Sequence, residues 1–254
     1  MQKSSQSEGA SAKGPRPSNQ DAWLARPDLG LYAVADGVGG QPGGAVASAL
    51  ALSTLVEMIQ RMGWNPGQLT PLGAQRRLRL VVEMVQRTIV EHSRGDHRRM
   101  GTTLAMLWTT KRRAYIAHVG DSRVYRWRDG RLACLTMDHN VAAMVENLEA
   151  PPFGFRHHPR ALTRALARGC DGQPEIQVVD LRPGDVFLLV TDGVNDGLDD
   201  FDIASLLRAH AFAEIPEAVV AEAHAAGATD NATAVVVLPE VEEVSGSQAV
   251  TLSP

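Results

Sequence analysis

Three times in this chain an apolar run leads directly into an aspartate: Val34-Ala35-Asp36-Gly37, Val119-Gly120-Asp121-Ser122 and Val190-Thr191-Asp192-Gly193. A fourth, Asp230, stands just before the apolar run that begins near Ala232. Taken singly, each is a turn former, since Asp-Gly is among the commonest turn dipeptides. Gathered at the ends of neighbouring buried strands, they would repel. Two unit charges about 4 Å apart cost roughly 4 kcal/mol at an effective dielectric of about 20, and several such pairs rival the stability of a domain. Cations or protons must intervene. With oxygen ligands and neither cysteine nor an HExxH pair nearby, the expected ions are hard ones, magnesium or manganese. Such a pair can generate hydroxide at neutral pH and hold an electrophilic phosphorus for in-line attack. Arg16, a few residues before Asp21, offers the bidentate fork that phosphate oxygens prefer.

The elements that must position these groups follow from periodicity. Leu31–Ala35 reads as a short buried strand entering the glycine-rich stretch 37–44, and residues 45–62 and 72–92 carry apolar residues at helical spacing. From Thr102 the pattern turns to β. Strands are expected over 103–108, 114–119, 124–127 and 132–135, with Asp129-Gly130 as a hairpin signal, and an antiparallel meander is the simplest arrangement. Residues 138–168 are mixed and contain Pro151-Pro152, so a partly mobile segment is expected there. Further strands fall at 176–181, 186–190 and 232–238, the last two apolar enough for burial on both faces, with helices near 201–211 and 216–226 between them. Strands and helices in blocks favour α+β over alternating βαβ.

At 254 residues, with 44% hydrophobic and 21% charged residues, the chain can bury a sizeable core, and one compact domain over 14–239 is expected. Residues 1–13 read as a flexible tail or an edge strand and 240–254 as a flexible tail. Twenty-five basic against 29 acidic residues leave a net charge of −4, which gives no field favouring nucleic acid. The clusters Arg76-Arg77 with Arg79, Arg98-Arg99 and Lys111-Arg112-Arg113 read as solvated faces or strand ends. Two distant cysteines, Cys134 and Cys170, suggest neither disulfides nor zinc, and no uninterrupted apolar run suggests a membrane span or signal peptide. A cytoplasmic location is therefore expected, and the sequon Asn231-Ala232-Thr233 is read as a chance match. The glycine loop has Pro42 where GxGxxG needs its third glycine, and no GxxxxGK[ST] occurs, so both nucleotide fingerprints are rejected.

Read together, Arg16-Pro17-Ser18-Asn19-Gln20-Asp21, Val34 to Gly40, Gly101-Thr102-Thr103 and His118 to Tyr125 resemble the metal-dependent protein serine/threonine phosphatases of the PPM or PP2C type. Leu135 to His139, Leu162 to Leu166, Leu189 to Gly193 and Thr229 to Thr233 continue the match in the same order. The resemblance implies a four-layer α-β-β-α sandwich with two antiparallel sheets and metals in a cleft at one end. It implies that Asp36 bridges two Mn2+ or Mg2+ ions, that the Gly37 carbonyl and waters complete one, and that Asp192 with Asp230 completes the other. Asp21 would order waters, Asp121 with Asp192 would hold a weaker third ion, and Arg16 would bind the substrate phosphate. A metal-bridging water would attack phosphorus in one step, without a phosphoenzyme. The substrates implied are phosphoserine and phosphothreonine proteins, in a monomer opposing a bacterial Ser/Thr kinase.

Two departures stand out. Gln20 replaces a common glutamate, which weakens the expected hold on the second ion, and Val38 replaces the histidine proposed as general acid in eukaryotic members. His139, His157 and His158 are alternative donors, and a substrate-touching flap maps to about 140–160. Intact core acids and Arg16 argue against a silent phosphoprotein-binding relative; a phosphatase of small phosphoesters would use the same chemistry in another pocket.

Overall fold

The computed structural model describes residues 5–40, 43–63, 69–146 and 158–242. One sheet has five strands in the order β1 (Gln6–Ala12), β12 (Ala232–Leu238), β11 (Val186–Val190), β7 (Arg123–Arg128), β8 (Arg131–Cys134). The other has seven: β10 (Glu175–Asp180), β6 (Arg113–Val119), β5 (Leu104–Thr109), β3 (Leu31–Val38), β4 (Gly101–Thr102) and β9 (Leu166–Ala167) in order, with β2 (Asp21–Arg26) on the free side of β3. Every pairing is antiparallel. Helices α1 (Gly43–Arg61) and α2 (Pro71–His92) cover the seven-stranded sheet, and α4 (Asp192–Gly197), α5 (Asp200–Ala209) and α6 (Ile215–Ala225) cover the other. A short α3 (Val141–Glu146) follows β8.

Side-chain alternation builds the layers. Along β3, Leu31, Ala33 and Ala35 pack against Ala47, Leu55, Val81 and Val85 of α1 and α2, while Tyr32 and Val34 face the opposite sheet, meeting Val124, Phe187, Leu189 and Val235. A third core joins Leu188, Val190, Ala234 and Val236 to Val194, Ile203 and Val219 of the outer helices. The expected four-layer α-β-β-α sandwich is the one found. α1 is long and apolar enough to cross a membrane by composition, yet Ala47, Ala51, Leu55 and Ile59 are spent on the inner core.

The expected meander over 103–135 is corrected. β5 pairs β6 in one sheet, whereas β7 pairs β8 and β11 in the other. The chain changes sheets at Gly120, which has φ of +105° and lies against Thr103, where a Cβ would collide with the threonine side chain. That crossover leaves Asp121 between the sheets rather than on a hairpin. Residues Asp21–Arg26 and Asp192–Gly197, which periodicity does not single out, form β2 and α4.

Candidate active site

At one end of the sandwich the alternation that fills the inter-sheet core runs out into polar groups. On β3, Tyr32 and Val34 are followed by Asp36; Leu189 on β11 is followed by Thr191, and Val235 on β12 is preceded by Thr233. Antiparallel pairing sets Asp21 on β2 directly across from Asp36. One Asp21 oxygen, Oδ2, accepts from Thr191 Oγ1 at 2.8 Å and from Thr233 Oγ1 at 2.6 Å, so two strands of the opposite sheet fix this carboxylate. The Asp36 amide donates to Thr103 Oγ1 at 2.9 Å, and its carbonyl accepts from the Thr103 amide at 2.9 Å and Thr102 Oγ1 at 2.8 Å.

Asp36 and Asp192 are both pushed well above the usual carboxylate range, first by burial and then by the surrounding charges. For Asp36 these are Asp192, Asp21, Asp121 and Asp230; for Asp192 they are Asp121, Asp196, Asp230 and Asp21. Burial raises Asp21 to about 6, opposed by the Thr233 and Thr191 hydroxyls. Asp121, only 6% exposed, is raised to about 6 by burial and then by Asp138, itself held bidentately by Arg123 at 2.8 Å. All five expected acids thus converge on one locus.

The glycines that follow Asp36 and Asp192 do not make turns. Gly37 and Gly193 have ordinary φ values, but a Cβ at Gly37 would collide with the Gly44 carbonyl, and one at Gly193 with the Asn231 carbonyl. Close backbone approach, rather than a turn, requires glycine after each aspartate. A Cβ at Gly44 would meet both the Gly37 carbonyl oxygen and Gln20 Oε1, so those two oxygens are neighbours at the start of α1.

Asn231, dismissed above as a chance sequon, organises the rim. It is 4% exposed, accepts from the Gln20 amide at 2.9 Å, and donates to the Lys13 and Ser18 carbonyls, each at 2.9 Å. Asn231→Ala is expected to cost about 2–4 kcal/mol, because the Gln20 amide loses its acceptor and the Lys13 and Ser18 carbonyls each lose a donor together. Thermal denaturation checks this; a loss under about 1 kcal/mol would show that the 13–20 loop is held by other contacts.

Arg16 rests on Asp230, with Nη2 to Oδ2 at 2.6 Å, while Nε donates to the Thr229 carbonyl at 3.1 Å. Its side chain is half exposed, so the head sits at the mouth of the acidic locus. His139 lies behind the β6–β7 crossover, stacked on His118 with centroids 4.5 Å apart, and its Nδ1 accepts from the Gly120 amide at 3.1 Å. Glu175 is 3.4 Å and the Arg164 guanidinium 3.2 Å from His139 Nε2. Burial, then His118, lowers His139 to about 4. It braces the turn that carries Asp121. His158 is exposed, and His157 lies outside the described residues, as do 147–157 of the expected flap, whose base is closed by the Asn140–Leu162 bridge.

The donor set suits hard divalent ions. Buried oxygens of Asp21 (Oδ1), Asp192 (Oδ1) and Gln20 (Oε1) have no hydrogen-bond donor among the described residues, and the locus presents no thiolate or imidazole. Comparison with known proteins agrees. A family model described as protein phosphatase 2C matches residues 8–229. The chain belongs to the protein phosphatase 2C family.

It is similar to the serine/threonine protein phosphatase PstP of Mycobacterium tuberculosis, 32% identical over 225 residues. That match covers 87% of this chain but only 42% of the relative, so the chain spans less than half of the longer protein. Among solved structures it resembles PppA, a regulatory component of the type VI secretion system in Pseudomonas aeruginosa, with 31% identity, a TM-score of 0.77, and coverage of 92% of this chain and 97% of the other. It also resembles the catalytic domain of PstP in complex with two manganese ions, with 28% identity, a TM-score of 0.77, and coverage of 94% and 99%. Within the 2C family frame, Asn231, Thr191, Thr233 and Thr103 are the site residues that spacing alone did not single out, because none carries a charge or a metal-ligand signature.

Proposed function

We propose that this chain removes phosphate from phosphoserine and phosphothreonine side chains, using divalent ions held by Asp36, the Gly37 carbonyl, Asp192 and Asp230. Asp121 with Asp192 would hold a weaker third ion, and Asp21, locked by two threonines, would orient water around the first two. The convergence of five carboxylates, with buried oxygens of Asp21 and Asp192 lacking donors, inside a protein phosphatase 2C fold carries this reading. Ions held there would activate water as the nucleophile and neutralise charge at the phosphoryl oxygens. The chain's own residues hold that arrangement rigid through Thr103, Thr191, Thr233 and Asn231. Arg16, at the mouth, turns from Asp230 to the incoming phosphate and presents two N–H donors to it.

Arg16→Ala is therefore expected to raise KM for a phosphothreonine peptide by about tenfold and leave kcat within a few-fold, since the carboxylate locus is intact. An unchanged KM would remove Arg16 from the site. The substrate class is tested by kcat/KM on phosphothreonine peptides beside small metabolite phosphates; faster turnover of the metabolites would make this a small-phosphoester phosphatase. The proposal extends to a cognate bacterial Ser/Thr kinase whose products this chain reverses, and to a reducing compartment, supported by Cys134 and Cys170, both exposed and unpaired.

A further inference from the structure

A cavity opens where β3 ends, three residues beyond Asp36. Its volume is ≈ 600 Å³, its floor includes Val38, Met100, Leu162 and Ala167, and five arginines line it: Arg98, Arg99, Arg160, Arg164 and Arg168. Among the described residues no acidic side chain lines it. Arg98 and Arg99 are exposed, in keeping with a solvated face or strand end, and they also border this concave site in a chain whose net charge is −4.

Two of the five charges are answered by carboxylates. Arg160 pairs with Asp196, whose charge also bears on Asp192, and Arg164 pairs with Asp171 at 3.4 Å. Arg168 donates to the main-chain carbonyls of Val90 and Ser93 at the end of α2. Arg98 and Arg99 have no carboxylate partner among the described residues, and both are exposed. Gly39, with φ of +103°, lies so close to the Arg99 carbonyl that a Cβ would collide with it, which fixes the arginine pair to the end of the strand that carries Asp36.

We infer that this arginine-lined cavity is a substrate subsite that takes an anionic side chain, a second phosphate or a carboxylate, on the same peptide as the phosphorylated residue. The inference rests on the phosphatase reading above. Strand geometry sets the register: three residues at about 3.3 Å each separate Asp36 from Gly39, so the anion would lie about three residues from the scissile phosphate on an extended peptide. Guanidinium forks with no carboxylate of their own suit either anion, and a phosphate more strongly.

The test uses one phosphothreonine peptide in four forms, with a neutral, lysine, glutamate or phosphoserine residue about three positions away. kcat/KM and, in chelator, fluorescence-anisotropy affinity are measured for wild type and for Arg98→Ala/Arg99→Ala. The expected result is about tenfold preference for the anionic peptides over the neutral one, expressed in KM and in affinity, lost in the double variant while turnover of the neutral peptide is unchanged. The glutamate and phosphoserine arms tell which anion is preferred. Equal hydrolysis of all four peptides, or a preference that the double variant retains, overturns the subsite and leaves the phosphatase reading standing. Acid-selective binding lost in the double variant, without metal-dependent hydrolysis of any peptide, supports the anion site and overturns the phosphatase reading.

Discussion

Asp192→Asn is expected to reduce phosphopeptide hydrolysis by at least about 10³-fold while raising the melting temperature of the metal-free protein. The two effects come from one carboxylate. Asp192 contributes charge to a locus shared with Asp121, Asp230 and Asp21, and burial and those neighbours push its own pKa well up. Replacing it with a neutral isostere removes a ligand that the ions require and at the same time removes repulsion that the empty locus bears. Each kcal/mol regained shifts Tm by about 2–4 °C in a domain of this size. Loss of activity accompanied by a lower metal-free Tm would mean that Asp192 serves the packing of α4 rather than a cation site.

The second large effect is the pH dependence of stabilisation by manganese. Asp21 and Asp121 are raised from 3.8 to about 6 by burial, and Asp36 and Asp192 lie well above their ordinary value. An acid with a raised folded-state pKa contributes stability that is present below its unfolded pKa and lost as pH climbs through the folded value. The metal-free protein therefore loses this contribution from about pH 4 to beyond about pH 6, and ions that bind the deprotonated carboxylates restore it. His118 and His139 titrate in the opposite sense, with pKa lowered first by burial, but they do so with or without manganese and cancel in the difference. From about pH 5 to about pH 8 the manganese increment is expected to grow by about 1 kcal/mol for each of Asp21 and Asp121, with Asp36 and Asp192 adding in the same direction. That corresponds to a widening of about 4–8 °C between Tm with chelator and Tm with manganese. An increment that is flat across this range would show that the acids do not exchange protons for ions.

Much of this could be read from residue order, and what could not has identifiable physical causes. Apolar runs ending in Asp36, Asp121 and Asp192 are the signature of strands that deliver carboxylates to a sheet end, and each acid is found there. The same Asp-Gly pairs suggested turns, because a dipeptide cannot reveal that Gly44 or Asn231 backbone will press against it from elsewhere in the chain. β2 was missed since Asp21–Arg26 is short and only partly buried, and α4 since six residues with two glycines have no helical period. Continuous β signal over 103–135 concealed the change of sheets at Gly120, which depends on one positive φ and a threonine across the gap. Asn231 and the three threonines are ordinary polar residues in sequence; only hydrogen bonds spanning up to 218 positions make them part of the site. Arg98 and Arg99 are exposed as their composition suggests, but the cavity they border is not legible in sequence, because the residues that line it with them arrive from 160–170.

The most direct test is hydrolysis of a phosphothreonine peptide by the purified protein, first in chelator and then with manganese or magnesium restored, with bound ions counted at each step. Activity that vanishes on chelation and returns as two ions per chain are taken up is the expected result. Hydrolysis that persists in chelator, or its absence with both ions bound, would contradict the assignment of these carboxylates to a metal-dependent phosphatase centre.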